Sequence, residues 1–246
     1  MSLSDQEQQL RIQLAGCYRI FAHLGWDELI FNHITVKLPG TDGEFLINPY
    51  GLHYREVTAS NLLKVNIQGE VLEDSPYQPN PAGMIIHTAV HEARADAVCI
   101  GHLHTNAGSV VACQKDGLRH DNFYSVLLYN QVAYHDFEGI TVMPGEKDRL
   151  VSSLGEKNLL VLRNHGILAC GSSIPAMFMN LWLLQRACEI QVAADNSGRE
   201  LIPLSEDIAQ KSAELLQIQM SGASPGELEF NALLREVERN DPSFKQ

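Results

Sequence analysis

The chain is short of basic charge, of paired cysteines and of long apolar runs. Its 246 residues carry 18 lysines and arginines against 30 aspartates and glutamates, a formal charge of -12 with ten histidines counted neutral. The basic residues are scattered, so no patch offers the electrostatic footprint of nucleic acid or of an anionic membrane surface. No apolar stretch approaches the roughly 20 residues that span a bilayer, and the polar opening from Met1 to Leu10 lacks the basic-then-apolar plan of a secretory signal. A cytoplasmic protein is expected. The five cysteines, Cys17, Cys99, Cys113, Cys170 and Cys188, are odd in number, widely spaced and set among apolar neighbours. With no CxxC pair they read as buried, reduced thiols rather than a disulfide framework or a cysteine zinc site.

What is present is an ordinary globular composition, 45% apolar, enough to bury a core. Ser4-Asp5-Gln6-Glu7 has the capping-box pattern, and Leu10, Leu14, Cys17, Phe21 and Leu24 follow at helical steps. Ile34, Val36 and Leu38 alternate, turn at Pro39 to Gly43, and resume at Phe45-Leu46-Ile47, which predicts two antiparallel strands. A short helix is expected around Ala59 to Leu63 and a hairpin turn at Gln68-Gly69. Further helices are read from Ala82 to Ala95, after Thr105, from Gly145 to Leu154, from Pro175 to Asp195, from Ser205 and around Leu228 to Val237. Strands are read at Ala97 to Thr105, Ile140 to Val142, Leu159 to Leu162 and Ile167 to Cys170. Alternating elements make an α/β or α+β chain, and no composition break divides it. The expectation is a single domain, with a core over about 8–200 and a helical extension over about 205–246.

The histidines carry the chemistry. In Gly101-His102-Leu103-His104, the side-chain period of two places both imidazoles on one face of a strand, near its end. Such a pair puts two nitrogens on one cation, and a catalytic zinc site takes three protein ligands with one position open. The bland alternative is one solvated histidine and one bonded to backbone. Asn164-His165-Gly166 breaks an apolar strand, and a glycine there permits a backbone that presents the histidine outward. His87 and His91, four apart on one helix, are either a rival ligand pair or two ordinary polar contacts, the second being preferred.

Four stretches in order and spacing resemble the class II aldolase/adducin family over about residues 8–200. They are Phe31-Asn32-His33-Ile34-Thr35-Val36-Lys37, Ile47-Asn48-Pro49-Tyr50-Gly51-Leu52, Gly101-His102-Leu103-His104-Thr105 and Arg163-Asn164-His165-Gly166. The resemblance implies a three-layer α/β/α fold with a largely antiparallel central sheet, commonly a homotetramer. It implies that His102, His104 and His165 hold a divalent metal, usually zinc, with iron or manganese as alternatives. It also implies that Asn32 and Gly51 bind substrate, and that the metal acts as a Lewis acid on a small hydroxy-carbonyl compound.

The departures from the family pattern are as informative. The family's acid/base glutamate falls at Gly83 and its serines at Pro81-Ala82, so the usual proton-transfer group, typically worth 10²–10⁴-fold, is missing. An inserted His33 and a Tyr50 in place of threonine weaken the phosphate cradle. Asn80 to Gly83 and Val132 to Asp136 look closer to the adducin-like branch. The leading expectation is a metal-dependent, aldolase-like lyase or decarboxylase acting on an unphosphorylated or otherwise anionic carbonyl compound. Its base would be a hydroxide on the metal, His87, or a tyrosine such as Tyr134 or Tyr129. The alternatives are an adducin-head-like binding or assembly module, and an iron(II) oxygenase on the same fold.

Overall fold

The computed structural model describes residues 3–139, 145–220 and 224–246. Seven strands form one sheet: β1 (His33–Lys37), β2 (Phe45–Ile47), β3 (Leu63–Val65), β4 (Cys99–Leu103), β5 (Val132–His135), β6 (Leu159–Leu162) and β7 (Gly166–Gly171). Their spatial order is β3-β2-β1-β4-β7-β6-β5. Neighbours are antiparallel except β5 with β6, so the sheet is mixed and largely antiparallel, as the resemblance implied.

Alternation along the central strands explains the layers. Cys99 and Leu103 of β4, with Ile167 and Ala169 of β7, pack on one face among residues of α1 (Leu3–Leu24), α3 (Asn106–Cys113) and α6 (Ile174–Ser197). Ile100, Leu168 and Cys170 turn to the other face and meet α2 (Pro81–Ala93) and α5 (Glu146–Leu154). A strand with both faces covered reads as a continuous apolar run, which is why these segments show no polar alternation. Asn80 caps α2 by accepting from the Ala82 N–H, with Pro81 in the first turn, where a missing donor costs nothing. Ser173 does the same for α6, and Gly198, left-handed at φ 62°, ends it.

The remaining helices are α4 (Phe123–Val126), α7 (Glu206–Met220) and α8 (Glu227–Asn240). The C-terminal segment packs on its own chain. Phe230 of α8 sits edge-on to Phe178 of α6 at 5.7 Å, Asp241 pairs with Arg19 of α1, and the Phe244 ring is buried. The N–H groups of Ala59 and Ser60 donate to the carbonyls of Phe244 and Gln246 at 2.8 Å. That contact accounts for one misreading: residues 58–61 are a turn held by the tail, and Leu63 begins the edge strand β3 rather than closing a helix.

Three other expectations change. Not all the cysteines are buried: Cys113 is exposed, while Cys17, Cys99, Cys170 and Cys188 are buried. The chain is already helical at Leu3, ahead of Ser4, so the capping-box pattern does not mark where α1 starts. The strand β5 and the one-turn helix α4 were not foreseen, and the strand expected at Ile140 to Val142 lies outside the described residues. Among the described residues no helix is long and apolar enough to cross a membrane.

Candidate functional site

The antiparallel pairing of β4 with β1 on one side and β7 on the other brings the site together at the end of β4. His102 is opposite His33 of β1 and Leu168 of β7. His104 follows one residue past the strand, and His165 sits in the tight turn from β6 to β7. The turn works differently from expectation. The left-handed residue is Asn164, at φ 57°, a conformation asparagine tolerates better than most. Gly166 is needed for closeness: a Cβ there would lie 2.3 Å from the Leu103 carbonyl oxygen and 3.1 Å from the His104 ring. Only a glycine lets β7 approach β4 so tightly beside the two imidazoles.

The three rings converge through one atom each. Nε2 of His102 is 2.7 Å from Nε2 of His104 and 3.3 Å from Nε2 of His165, and the last two are 2.9 Å apart. His102 Nδ1 lies 3.0 Å from the Ile167 carbonyl oxygen, so Nδ1 carries the proton and Nε2 a lone pair. Burial first, then the neighbouring imidazoles, holds His102 well below the usual histidine range. The same causes push His104 down to about 4, and burial lowers His165. Neutral imidazoles in close convergence suit a shared cation: tetrahedral zinc with bonds of about 2.0–2.1 Å sets its ligand nitrogens about 3.3 Å apart. Among the described residues these three form the one group of histidine, cysteine or carboxylate side chains close enough to share an ion.

The other expected site residues fall in different places. Asn32 is buried and its carboxamide holds the site's backbone. Oδ1 accepts from the His104 N–H at 2.9 Å, and Nδ2 donates to the Trp26 carbonyl at 2.8 Å. Gly51, at φ 102°, forms an exposed turn past β2 with open space where a side chain would stand. Tyr134 has a packing residue's surroundings: its hydroxyl accepts from the Leu118 N–H at 3.1 Å and its ring lies under the Arg163 guanidinium. Tyr129 packs edge-on against His120. His87 is fully buried and both its nitrogens have partners.

Sequence reasoning left His33 and Thr35 without a role. Both project from β1 toward α2 and complete a buried chain. His33 Nδ1 meets His87 Nε2 at 2.9 Å, and His87 Nδ1 meets Thr35 Oγ1 at 2.7 Å. Thr35 Oγ1 meets His91 Nε2 at 2.8 Å, and His91 Nδ1 meets the Ala97 carbonyl oxygen at 2.9 Å. The available signal was a pair of spacings: i, i+2 on a strand against i, i+4 on a helix, both matching the repeat of one face. The His33 ring also explains the missing glutamate. A Cβ on Gly83 would stand 2.6 Å from His33 Cδ2 and 2.7 Å from its Nε2. The imidazole fills the space that any side chain at position 83 would need.

The chain resembles known proteins over most of its length. The model of the class II aldolase and adducin N-terminal domain matches residues 12–192. A Pseudomonas aeruginosa protein, named provisionally as an aldolase class 2 protein, is 46% identical over 99% of this chain and 95% of its own. The L-fuculose 1-phosphate aldolase of Glaciozyma antarctica superimposes with a TM-score of 0.87 at 26% identity, covering all of this chain and 95% of that one. Alpha-adducin of Rattus norvegicus is 40% identical over 93% of this chain, which spans 33% of adducin's length.

Proposed function

The chain belongs to the class II aldolase and adducin N-terminal domain family, and on that footing we propose that it is a metal-dependent lyase of the aldolase type. It cleaves or forms a carbon–carbon bond, or releases carbon dioxide, beside a hydroxy-carbonyl unit. The observation that carries the reading is the convergence of three Nε2 atoms within 3.3 Å, at least one of them fixed as a lone pair. His102, His104 and His165 would hold the cation, zinc in the first instance, with iron or manganese as the alternatives. When bound, it supplies Lewis acidity to the substrate's carbonyl and adjacent hydroxyl oxygens.

The chain's own groups define the rest. Neutral imidazoles, buried at His102 and half-buried at His104 and His165, would leave the charge of a bound dication uncompensated, which favours an anionic or enolised ligand. Asn32, whose family counterpart contacts phosphate, here holds the backbone of His104, and Pro81-Ala82 supply no hydroxyl. A small unphosphorylated hydroxy-carbonyl compound therefore suits the site better than a sugar phosphate. Exposed apolar side chains on α4, α7 and α8, Phe123, Leu215 and Leu228 among them, support assembly of several copies, a homotetramer on the family pattern.

Metal analysis after purification without added ions, then after reconstitution, tests the centre. Stoichiometric zinc, iron or manganese is expected; failure to retain any of them in both preparations would overturn the proposal. Screening hydroxy acids and hydroxy ketones for released aldehyde or carbon dioxide then names the reaction. The 40% identity to alpha-adducin favours one second reading, a binding module, and a metal-loaded protein inert toward the whole screen would support it.

A further inference from the structure

We infer that His33 stands in for the absent glutamate by presenting the unprotonated Nε2 of its ring as a hydrogen-bond acceptor for the substrate hydroxyl beside the carbonyl, and that a buried chain starting at the Ala97 carbonyl sets this state. The inference rests on the lyase reading for what it accepts from. For the state of the ring it rests on the hydrogen-bonded chain and on His91 staying neutral within it.

The chain has one sense. The Ala97 carbonyl oxygen can only accept, so His91 donates to it through Nδ1–H and, being neutral, carries a lone pair on Nε2. Thr35 therefore donates its hydroxyl proton to His91 Nε2, and its oxygen accepts from His87 Nδ1–H. His87 Nε2 is then a lone pair and accepts from His33 Nδ1–H. The last atom, His33 Nε2, is left as a lone pair, with no hydrogen-bond partner among the described residues. Running the chain the other way requires His91 to carry protons on both nitrogens, and burial pushes its pKa down to about 3.

The placement matches the requirement. His33 is the cross-strand partner of His102, with ring centroids 5.2 Å apart. Its Nε2 lies 2.7 Å from where the first side-chain carbon of residue 83 would be, the position of the glutamate in related aldolases. It is not close enough to join the three ligand atoms, so its lone pair stays available beside the centre instead of being taken up by the cation. Which nitrogen of a ligand or acceptor histidine is free is ordinarily set by what the other nitrogen bonds. Here that control runs through three side chains, His87, Thr35 and His91.

Two measurements test this on the full chain. In the metal-free protein, ¹⁵N shifts of the imidazoles should show His33, His87 and His91 all protonated at Nδ1 and bare at Nε2. A protonated Nε2 on His33 would overturn the assignment without any variant. Thr35→Val cuts the chain at its middle, and His33 should then populate both tautomers, whereas Thr35→Ser should behave as wild type; a single unchanged tautomer in Thr35→Val refutes the relay. On the zinc-loaded protein, glycolohydroxamate, which has a hydroxyl beside its carbonyl, should bind about tenfold more weakly to Thr35→Val than to wild type. Acetohydroxamate, which lacks that hydroxyl, should bind both equally, with zinc content unchanged. An equal penalty for both probes would show a structural effect only and reject the acceptor role. A wild type that takes up no zinc would sink the lyase reading, while the ¹⁵N result would still decide the relay.

Discussion

Across the ladder that pairs β1 with β4, two groups of imidazoles lie side by side and use their nitrogens in opposite ways. In His102, His104 and His165, the Nε2 atoms turn toward one another within 3.3 Å. In His33, His87 and His91, every nitrogen but one has a partner along a chain that ends on a backbone carbonyl. Both groups are held neutral by burial. The difference is what neutrality leaves behind. Nitrogens that converge on one point suit a shared cation, whereas a head-to-tail chain satisfies every nitrogen but its last from within.

Several changes would break or sharpen that contrast. The largest effect is expected from His104→Ala, which should reduce metal affinity by more than the roughly 10–100-fold that loss of an outer partner costs. His91→Ala should leave metal content intact, and metal analysis of both variants checks it; metal retained in the first and lost in the second would reverse the assignment of the two groups.

Gly83→Ala comes next. Overpacking against the His33 ring costs about 1–3 kcal/mol, against a gain of about 1 kcal/mol from alanine in a helix. A net fall in thermal midpoint of a few degrees is expected, at about 2–4 °C per kcal/mol for a chain of this size. Adding His33→Ala should remove the clash, so a double-mutant cycle that proves additive would contradict the steric account.

Acid should weaken the metal-free fold by way of both groups. The unfolded chain takes up protons on its histidines below about pH 6.5, while the folded chain refuses them at His104 until about 4 and at His91 until about 3. The unfolded state binds more protons throughout that window, so stability falls as pH drops from 6.5 toward 3. Urea midpoints that stay level over that range would contradict the buried, neutral chain. The smallest effect is expected from Tyr134→Phe, which removes one hydrogen bond to Leu118 for about 1 kcal/mol and should leave metal content untouched.

Much of this was legible in the sequence where short-range rules apply. The cap at Thr105 is local, its hydroxyl accepting from the Gly108 N–H in its own first turn. The apolar runs of β4, β6 and β7 announce a sheet buried on both faces. What was missed is non-local. The four residues of β5, Val132-Ala133-Tyr134-His135, form neither a continuous apolar run nor a regular alternation, and they become a strand by parallel pairing with β6. The turn at Ala59-Ser60 depends on carbonyls at residues 244 and 246. Gly83 reads from sequence as a deletion of function, and in the fold it is a matching void for a ring fifty positions earlier.

By itself, the order of residues determined which histidines could meet: alternation on a strand puts His102 and His104 within reach of one ion, and four spaced motifs carry the family. Tertiary structure decided which nitrogen of each imidazole has a partner. A side chain's chemistry depends on which of its nitrogens is free, and that is set by partners brought from other strands and helices, Ile167 for His102 and, through His87, Thr35 and His91, Ala97 for His33.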